Sequence, residues 1–160
     1  MPDILSDNEI MQLLKESKPL ANDFRTKIQV RPKTGHKERE LDIKGSSGND
    51  FRLILRQSIY NTLDFSVILA YRPANSNQLF RLWRCNGKSH EHTNTIELDK
   101  FYDFHIHKAT ERYQLIGARE DSYAEPTDEY SDLNEAVTFI IKECGFEFPN
   151  NGQLTIFDRV

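Results

Sequence analysis

Three neighbouring β-forming segments constrain the fold of this chain more than any other feature. They span residues 51–56, 65–71 and 78–84, and each is rich in leucine, isoleucine, valine or aromatic residues. The first broadly alternates apolar residues with arginine, whereas the second is almost continuously apolar, as is typical of a central strand. Strands joined by such short connections pair with their sequence neighbours, so the pattern predicts an antiparallel meander.

Weaker patterns extend the sheet on both sides of the meander. Residues 27–31 and 38–44 are predicted to pair as a hairpin ahead of it. Residues 104–108 and 112–117 are predicted to form two later strands. The acidic, proline-containing segment 120–130 is predicted to be a loop.

Helices are predicted at both ends of the chain. Ser6 and Glu9 have the spacing of a capping box, which predicts a helix over 6–18. An apolar stripe predicts a second helix over 131–144, with Ser131 as its capping residue.

Together these elements predict an α+β fold. We expect an antiparallel β-sheet of about five to seven strands within residues 25–118, with the N-terminal and C-terminal helices packed on one face. A terminal hairpin or edge strand is predicted over 146–158. The length of 160 residues favours a single domain over 1–160 and is sufficient for one hydrophobic core.

Composition narrows the cellular context. The chain has no run of about 18 apolar residues, so no membrane association is expected. The N-terminus is acidic and lacks the apolar segment of a signal peptide, which favours a cytoplasmic protein. Cys85 and Cys144 lack the spacing of a redox or metal pair and are expected to remain free thiols.

Charge is distributed unevenly along the chain. Residues 72–119 carry a net charge of +3 and residues 120–160 a net charge of −8. The basic surface expected of a duplex-binding protein is therefore missing, although a local anion site in the middle segment is compatible with these charges. The acidic C-terminal quarter predicts a docking surface for a basic partner, with Glu125, Asp128 and Glu129 as candidate contacts.

Histidine is concentrated in one stretch, RCNGKSHEHTNTIELDKFYDFHIHK. It holds four of the five histidines as two His-x-His pairs, His90/His92 and His105/His107. Residues i and i+2 of a strand point to the same face, so the second pair faces away from Phe104 and Ile106. Since the apolar pair marks the core face, we expect the two imidazoles on the opposite side, away from the core.

Such a cluster suits acid–base catalysis on RNA. Imidazoles titrate near neutrality, so one can accept a 2′-hydroxyl proton while another protonates the leaving oxygen. The catalytic candidates are then all four histidines of the two pairs. Arg84, Lys88 and Arg112 are candidates for binding phosphate, and Tyr113 for stacking or hydrogen bonding. This hypothesis is a ribonuclease that needs no cofactor.

The same cluster also suits a metal ion. Three or four neutral imidazoles bind zinc or another divalent metal, with a glutamate as a further ligand. The metal-ligand candidates are His90, His92, His105, His107 and Glu97, with Glu91 and Glu111 as additional carboxylates. A third interpretation is structural, with histidines that only make hydrogen bonds in a loop.

Residues 64–108 carry a resemblance to a known family. DFSVIL, LFRL, the turn CNGK, SHEH and FHIH resemble the core of the TumE-like toxin family of bacterial toxin–antitoxin systems. The match touches Arg81 or Arg84, then Asn86 and the four clustered histidines. The pattern, with its ATERY continuation, also resembles an uncharacterised prokaryotic family of unknown function.

The resemblance implies an RNA-directed or otherwise growth-inhibiting activity that a cognate antitoxin protein neutralises. By the same match, Asn86 joins the candidate substrate-binding residues. The chain departs from the toxin pattern in three respects: it is longer, it has helices at both ends, and it lacks the family's proline between the histidine pairs. An interaction module with an acidic C-terminal surface is the non-enzymatic alternative.

Overall fold

A computed structural model of the chain describes residues 4–149, and within them the chain forms four helices and eleven strands. In chain order the elements are α1 (Asp7–Lys15), β1 (Lys18–Pro19), α2 (Phe24–Lys27), β2 (Arg31–Lys33), β3 (His36–Lys44), β4 (Asp50–Ser58), β5 (Phe65–Arg72), β6 (Phe80–Asn86), β7 (His92–Thr93), β8 (Lys100–Phe101), β9 (His105–Lys108), α3 (Glu111–Leu115), β10 (Ala124–Pro126), α4 (Leu133–Glu143) and β11 (Phe146–Glu147).

The main sheet has seven antiparallel strands in the order β10-β9-β6-β5-β4-β3-β2. Strands β2 to β6 follow one another as the predicted meander, and β9 joins the far side of β6. The buried sides of α1 and α4 share one core with the sheet. The predicted α+β class, with an antiparallel sheet and helices at both ends, is confirmed.

The register of the sheet separates two faces. Ile106 of β9 lies opposite Cys85, which lies opposite Val67 and then Leu55, and all four side chains are buried in the core beneath the helices. The adjacent row belongs to the other face, because alternate residues of a strand point to opposite sides. That row runs from His107 through Arg84, Ile68 and Ile54 to Glu40.

Two predicted strands are not formed as predicted. Residues 27–31 begin with the last residue of α2 and end with the first residue of β2, and Ile28, the C-cap of α2, is buried together with Phe24 one turn earlier. Residues 112–117 contain α3, whose N-cap Thr110 accepts a hydrogen bond from the backbone N–H of Tyr113.

The C-terminal predictions also need correction. Residues 120–130 are not a continuous loop, since they contain the edge strand β10. Asp132, and not Ser131, caps α4. Strand β11 pairs in parallel with β1, and residues 150–158 of the predicted terminal hairpin lie outside the described residues. The capping box of Ser6 and Glu9 is present as predicted.

No helix among residues 4–149 is both long enough and apolar enough to cross a membrane.

The Lys18 ammonium group connects the two ends of the fold. The side chain is fully buried, and its Nζ lies 4.5 Å from the centroid of the Phe51 ring. Burial lowers its pKa to about 8, so the group is still mostly protonated at pH 7. The ammonium has three N–H donors and lies within hydrogen-bonding distance of four carbonyl oxygens at the ends of α1 and α4: those of Leu13, Leu14, Glu16 and Cys144, at 2.8, 3.1, 2.8 and 2.7 Å.

Replacing Lys18 by Met should therefore destabilise the protein by about 3 kcal/mol, because carbonyl groups at two helix ends lose their donor in a buried site. Urea denaturation followed by circular dichroism measures the change. Lys15→Met, at an exposed position in the last turn of α1, is the matched control and should change stability by less than about 0.5 kcal/mol. Equal midpoints for the two variants would contradict this role for Lys18.

Candidate functional site

The four clustered histidines lie together at one end of the main sheet. The ring of His92 is 5.6 Å from that of His105 and 4.9 Å from that of His107, between centroids. His105 and His107 are 5.0 Å apart, and His90 is 5.4 Å from His105. The fifth histidine, His36, is on β3, where it contacts Glu38.

The second histidine pair is buried, which corrects the expectation that it faces away from any core. His105 is 0% exposed and His107 is 5% exposed. Both do lie on the face of β9 opposite Ile106, as the alternation predicts. However, the segment 87–103 between β6 and β9 folds back over that face and covers it, with the ring of Phe101 5.8 Å from that of His105.

Gly87 starts this covering segment. A side chain here would clash, because a Cβ atom would lie 1.9 Å from the carbonyl oxygen of Leu63. The backbone N–H of Gly87 donates to the carbonyl of Phe65, so β6 ends tightly against the start of β5. The close approach requires glycine, and it directs the chain across the histidine face.

Hydrogen bonds to backbone carbonyls determine the tautomers of the buried pair. Nδ1 of His105 lies 2.8 Å from the carbonyl oxygen of Asp103, and Nδ1 of His107 lies 2.8 Å from that of Asp121. A carbonyl oxygen can only accept, so both Nδ1 atoms carry the proton. In the neutral rings, each Nε2 therefore has a free lone pair.

Asn94 determines the tautomer of His92 in the same way. The backbone N–H of Ala124 donates to Asn94 Oδ1 at 2.9 Å, and Asn94 Nδ2 donates to the carbonyl of Ala124 at 2.8 Å. These two bonds orient the amide, so the Oδ1 atom 2.8 Å from His92 Nε2 is an acceptor. His92 Nε2 is thus the donor, and the lone pair lies on Nδ1.

The three imidazoles converge. One ring nitrogen each from His92, His105 and His107 forms a group in which all the atoms lie within 4.8 Å of one another. In a tetrahedral zinc site with bonds of about 2.0–2.1 Å, imidazole nitrogens are roughly 3.3 Å apart, so small movements would complete the geometry. Metal-binding histidines characteristically donate their other N–H to a carbonyl oxygen, as all three do here.

Burial keeps the two histidines of β9 neutral. Desolvation is the main cause in both cases and lowers the pKa of His105 to about 4 and that of His107 to about 2. The positive charge of Arg84 lowers both pKa values further. Neither ring can therefore supply a proton near neutral pH, which is a requirement of the acid–base hypothesis for one member of the cluster.

A buried ion pair adjoins the rings. Arg84 Nε lies 3.1 Å from the carboxylate of Asp121, whose side chain is 1% exposed, and Arg81 Nε lies 3.5 Å from the same carboxylate. Burial lowers the pKa of Arg84, although the guanidinium stays charged. Asp121 thus contributes a carbonyl to His107 and a carboxylate to Arg84.

The other predicted residues of the middle segment line the edge of the cluster. Asn86 is buried, and its Nδ2 lies 3.5 Å from His105 Nε2, while its Oδ1 accepts a hydrogen bond from the hydroxyl of Ser66. His90 is exposed, with Nδ1 3.3 Å from the hydroxyl of Ser89. Lys88 Nζ lies 6.0 Å from the ring of the exposed Tyr102.

Glu97, Arg112 and Tyr113 form a separate group. Arg112 Nε donates to Glu97 at 2.8 Å, and the Tyr113 hydroxyl donates to the other oxygen of the same carboxylate at 2.6 Å. Glu97 is not one of the residues whose ligand atoms converge. These contacts attach the loop around Glu97 to α3, so the structure gives all three predicted site residues a structural partner away from the imidazole nitrogens.

The remaining carboxylates that were candidates also lie apart from the converging nitrogens. Glu111 accepts a hydrogen bond from the backbone of Asp7, and Glu91 is exposed. Among the acidic residues predicted to contact a partner, Glu125 pairs with Lys108 at 2.9 Å. Asp128 and Glu129 line a groove beside α4.

Asn94 and Asp121 are the site residues that sequence reasoning missed. Asn94 is 1% exposed and Asp121 is 0% exposed. A lone asparagine in a turn-rich stretch and a lone aspartate in an acidic stretch carry no signal of burial. Only the pairing of β10 with β9 shows that both adjoin the histidines, since Ala124 of β10 lies opposite His107.

Residues 5–146 match the sequence model described as a family of unknown function, DUF6978. The chain belongs to this family. The match covers most of the chain, from α1 to the start of β11, and includes every residue of the histidine cluster. No curated protein matches the chain, and no solved structure matches it.

The lowered pKa values predict that this DUF6978 protein loses stability in mild acid. Below pH 6.5 the unfolded chain binds protons at positions 105 and 107 that the folded chain does not. The free energy of unfolding should thus fall from about pH 6.5 to about pH 4, with a slope of about 2 kcal/mol per pH unit. Urea denaturation midpoints, measured across this pH range in the presence of a chelator, test this prediction.

The control for this pH series is His36→Gln, which removes a histidine from the opposite part of the sheet and should change the slope less than the loss of a buried histidine does. His107→Gln should reduce the slope by about 1 kcal/mol per pH unit. A slope that is the same in His107→Gln and wild type would show that the buried ring does not cause the acid sensitivity.

Proposed function

We propose that the protein binds a divalent transition metal, with zinc as the first candidate, through His92 Nδ1, His105 Nε2 and His107 Nε2. The observation that carries this proposal is the convergence of three ring nitrogens, one from each histidine, within 4.8 Å of one another, on rings that each donate from a nitrogen to an oxygen acceptor. Neutral imidazoles in this tautomeric state are ready to coordinate a cation without losing a proton.

A purely structural role explains the cluster less well. Acceptor atoms that lie close together repel one another, and each needs a hydrogen-bond donor or a cation. Within residues 4–149 the one donor directed at them is Asn86 Nδ2, at 3.5 Å from His105 Nε2. A bound cation would satisfy all three lone pairs at once, whereas a core without function gains nothing from placing them together.

Three imidazoles favour a catalytic type of centre. Structural zinc sites use four protein ligands, while catalytic sites use three and leave a position for water or substrate. When bound in such a site, the metal supplies a water molecule with a pKa near 7 for hydrolysis. The exposed His90 and the partly exposed His92 are on the open side of the cluster, so the chain leaves access there. We therefore propose a metal-dependent hydrolase.

The metal proposal predicts one equivalent of bound zinc or cobalt per chain. His105→Ala and His107→Ala should each reduce metal affinity by at least about 100-fold, because a two-ligand site remains. Isothermal titration and the visible spectrum of the cobalt form measure the binding. Metal should also raise the unfolding midpoint of the wild type, since it binds only the folded chain.

His36→Gln is the matched control for these variants and should bind as the wild type does. Asn94→Ala tests the orientation of His92 separately from the number of ligands. It leaves the three imidazoles in place but frees His92 to rotate, and should weaken metal binding by about 10-fold. A wild-type protein that binds none of zinc, cobalt, nickel or copper, and whose unfolding midpoint does not move with any of them, refutes the proposal.

A toxin-like, RNA-directed activity is the second candidate. Arg84 beside the histidines supports it, since a fixed guanidinium suits a phosphodiester substrate. The low pKa values of His105 and His107 favour a metal-dependent form of this activity over metal-free acid–base catalysis. The cognate antitoxin that this role implies would be a protein partner, and the acidic groove lined by Asp128 and Glu129 offers a surface for it.

Controlled expression in bacteria tests the toxin proposal. The wild-type chain should arrest growth, and a His105→Ala/His107→Ala variant of equal helical and sheet content should not. RNA extracted from arrested cells should then show cleavage. If both proteins are harmless at equal expression levels, the toxin role is excluded while the metal site stays open to direct measurement.

A further inference from the structure

Arg84 is placed beside the proposed metal ligands by strand pairing. In the β6–β9 register Arg84 lies directly opposite His107, and Asn86 lies opposite His105. Opposite residues of an antiparallel pair project to the same face, about 4.5–5.5 Å apart at Cβ. The guanidinium therefore stands on the face of the sheet that carries the lone pairs, and its charge lowers the pKa of both rings.

The guanidinium of Arg84 has hydrogen-bonding capacity to spare. Its Nε lies 3.1 Å from the Asp121 carboxylate but is buried without a hydrogen-bond partner among residues 4–149. The side chain is 20% exposed, so it is accessible from one side. A guanidinium has five N–H donors in a planar fork, and this fork matches the oxygens of a phosphoryl group.

The charge of the site calls for an anion once metal is bound. Arg81 and Arg84 are balanced by the carboxylates of Glu120 and Asp121. The three imidazoles are neutral, so a divalent metal would leave two uncompensated positive charges in a largely buried site. Uncompensated charge is costly there, and an oxyanion in the open coordination position would remove the cost.

We propose that Arg84 and the metal together bind a phosphoryl oxyanion, which makes this class of group the substrate of the centre. The inference rests on the proposed metal site and names its ligand. A planar guanidinium beside a metal favours a phosphate ester, whose several oxygens both groups can bind at once, over a carboxylate.

Phosphate binding to the cobalt-loaded protein tests the proposal. Inorganic phosphate should change the visible spectrum of the wild-type protein, and isothermal titration calorimetry should detect a heat of binding. Arg84→Gln should bind cobalt normally but lose at least about 10-fold in phosphate affinity, because a charge-assisted pair of hydrogen bonds is missing. Arg84→Lys should keep part of the affinity, since it retains the charge without the fork.

Arg81→Gln is the matched control. It removes the same charge from the same strand, and Arg81 contacts the same Asp121 carboxylate, but Arg81 lies outside the β6–β9 pairing, which runs from Trp83 to Asn86. Its phosphate affinity should stay within about 2-fold of wild type. Circular dichroism and thermal unfolding of each variant exclude a loss that comes from unfolding.

Competition distinguishes the sources of the phosphoryl group. Displacement of phosphate by a dinucleoside monophosphate assigns a phosphodiester, as in RNA, and displacement by a nucleoside 5′-monophosphate alone assigns a monoester. Acetate that competes as well as phosphate overturns the phosphoryl assignment. The proposal that Arg84 and the metal bind phosphate together is overturned if wild type and Arg84→Gln have equal phosphate affinity. It is also overturned if the metal-loaded and metal-free proteins do, and either result leaves the metal proposal intact. Failure to bind cobalt at all refutes both.

Discussion

The pairing of β9 with β6 is the constraint on which the site depends. These strands are not neighbours in sequence, since residues 87–104 separate them, yet their register places His107 opposite Arg84 and His105 opposite Asn86. The hydroxyl of Tyr130 lies 2.8 Å from the carbonyls of both Asn86 and His105, at the end of the ladder. Tyr130 is itself buried in the core on the helical side of the sheet. Its contacts therefore stabilise the strand pairing that forms the site on the opposite face.

The sheet thus serves two different environments. One face is filled by leucine, valine and cysteine beneath α1 and α4, and its hydrophobic burial provides the main stabilisation. The opposite face is polar, with salt bridges between β3 and β4 such as that of Arg52 with Asp42. At the β9 end alone, a covering segment converts this polar face into a second, small interior. A buried site can form there without interrupting the main core.

The sequence predicted the fold better than it predicted the site. Strong alternation identified the meander, and the capping box identified α1, because both signals are local. The strand predictions for 27–31 and 112–117 were wrong. Ile28 is buried together with Phe24 at the end of α2, and Tyr113 is buried in α3, so tertiary packing decided against a strand in both ranges. The histidine spacing showed which side chains share a face. It could not show that residues 87–103 return over that face, since that depends on contacts between distant segments.

Because residues 87–103 cover the histidine face, His105 and His107 are buried, and this burial supports a functional interpretation of the cluster. Burial lowers the pKa of His105 and His107 and keeps both rings neutral, and the backbone carbonyls of Asp103 and Asp121 hold them in one tautomer. Acceptor atoms held close together repel one another, and Asn94 adds a third lone pair by orienting His92. Binding of the proposed cation would therefore stabilise the segment that carries His92, and would be coupled to the packing of that segment over the sheet.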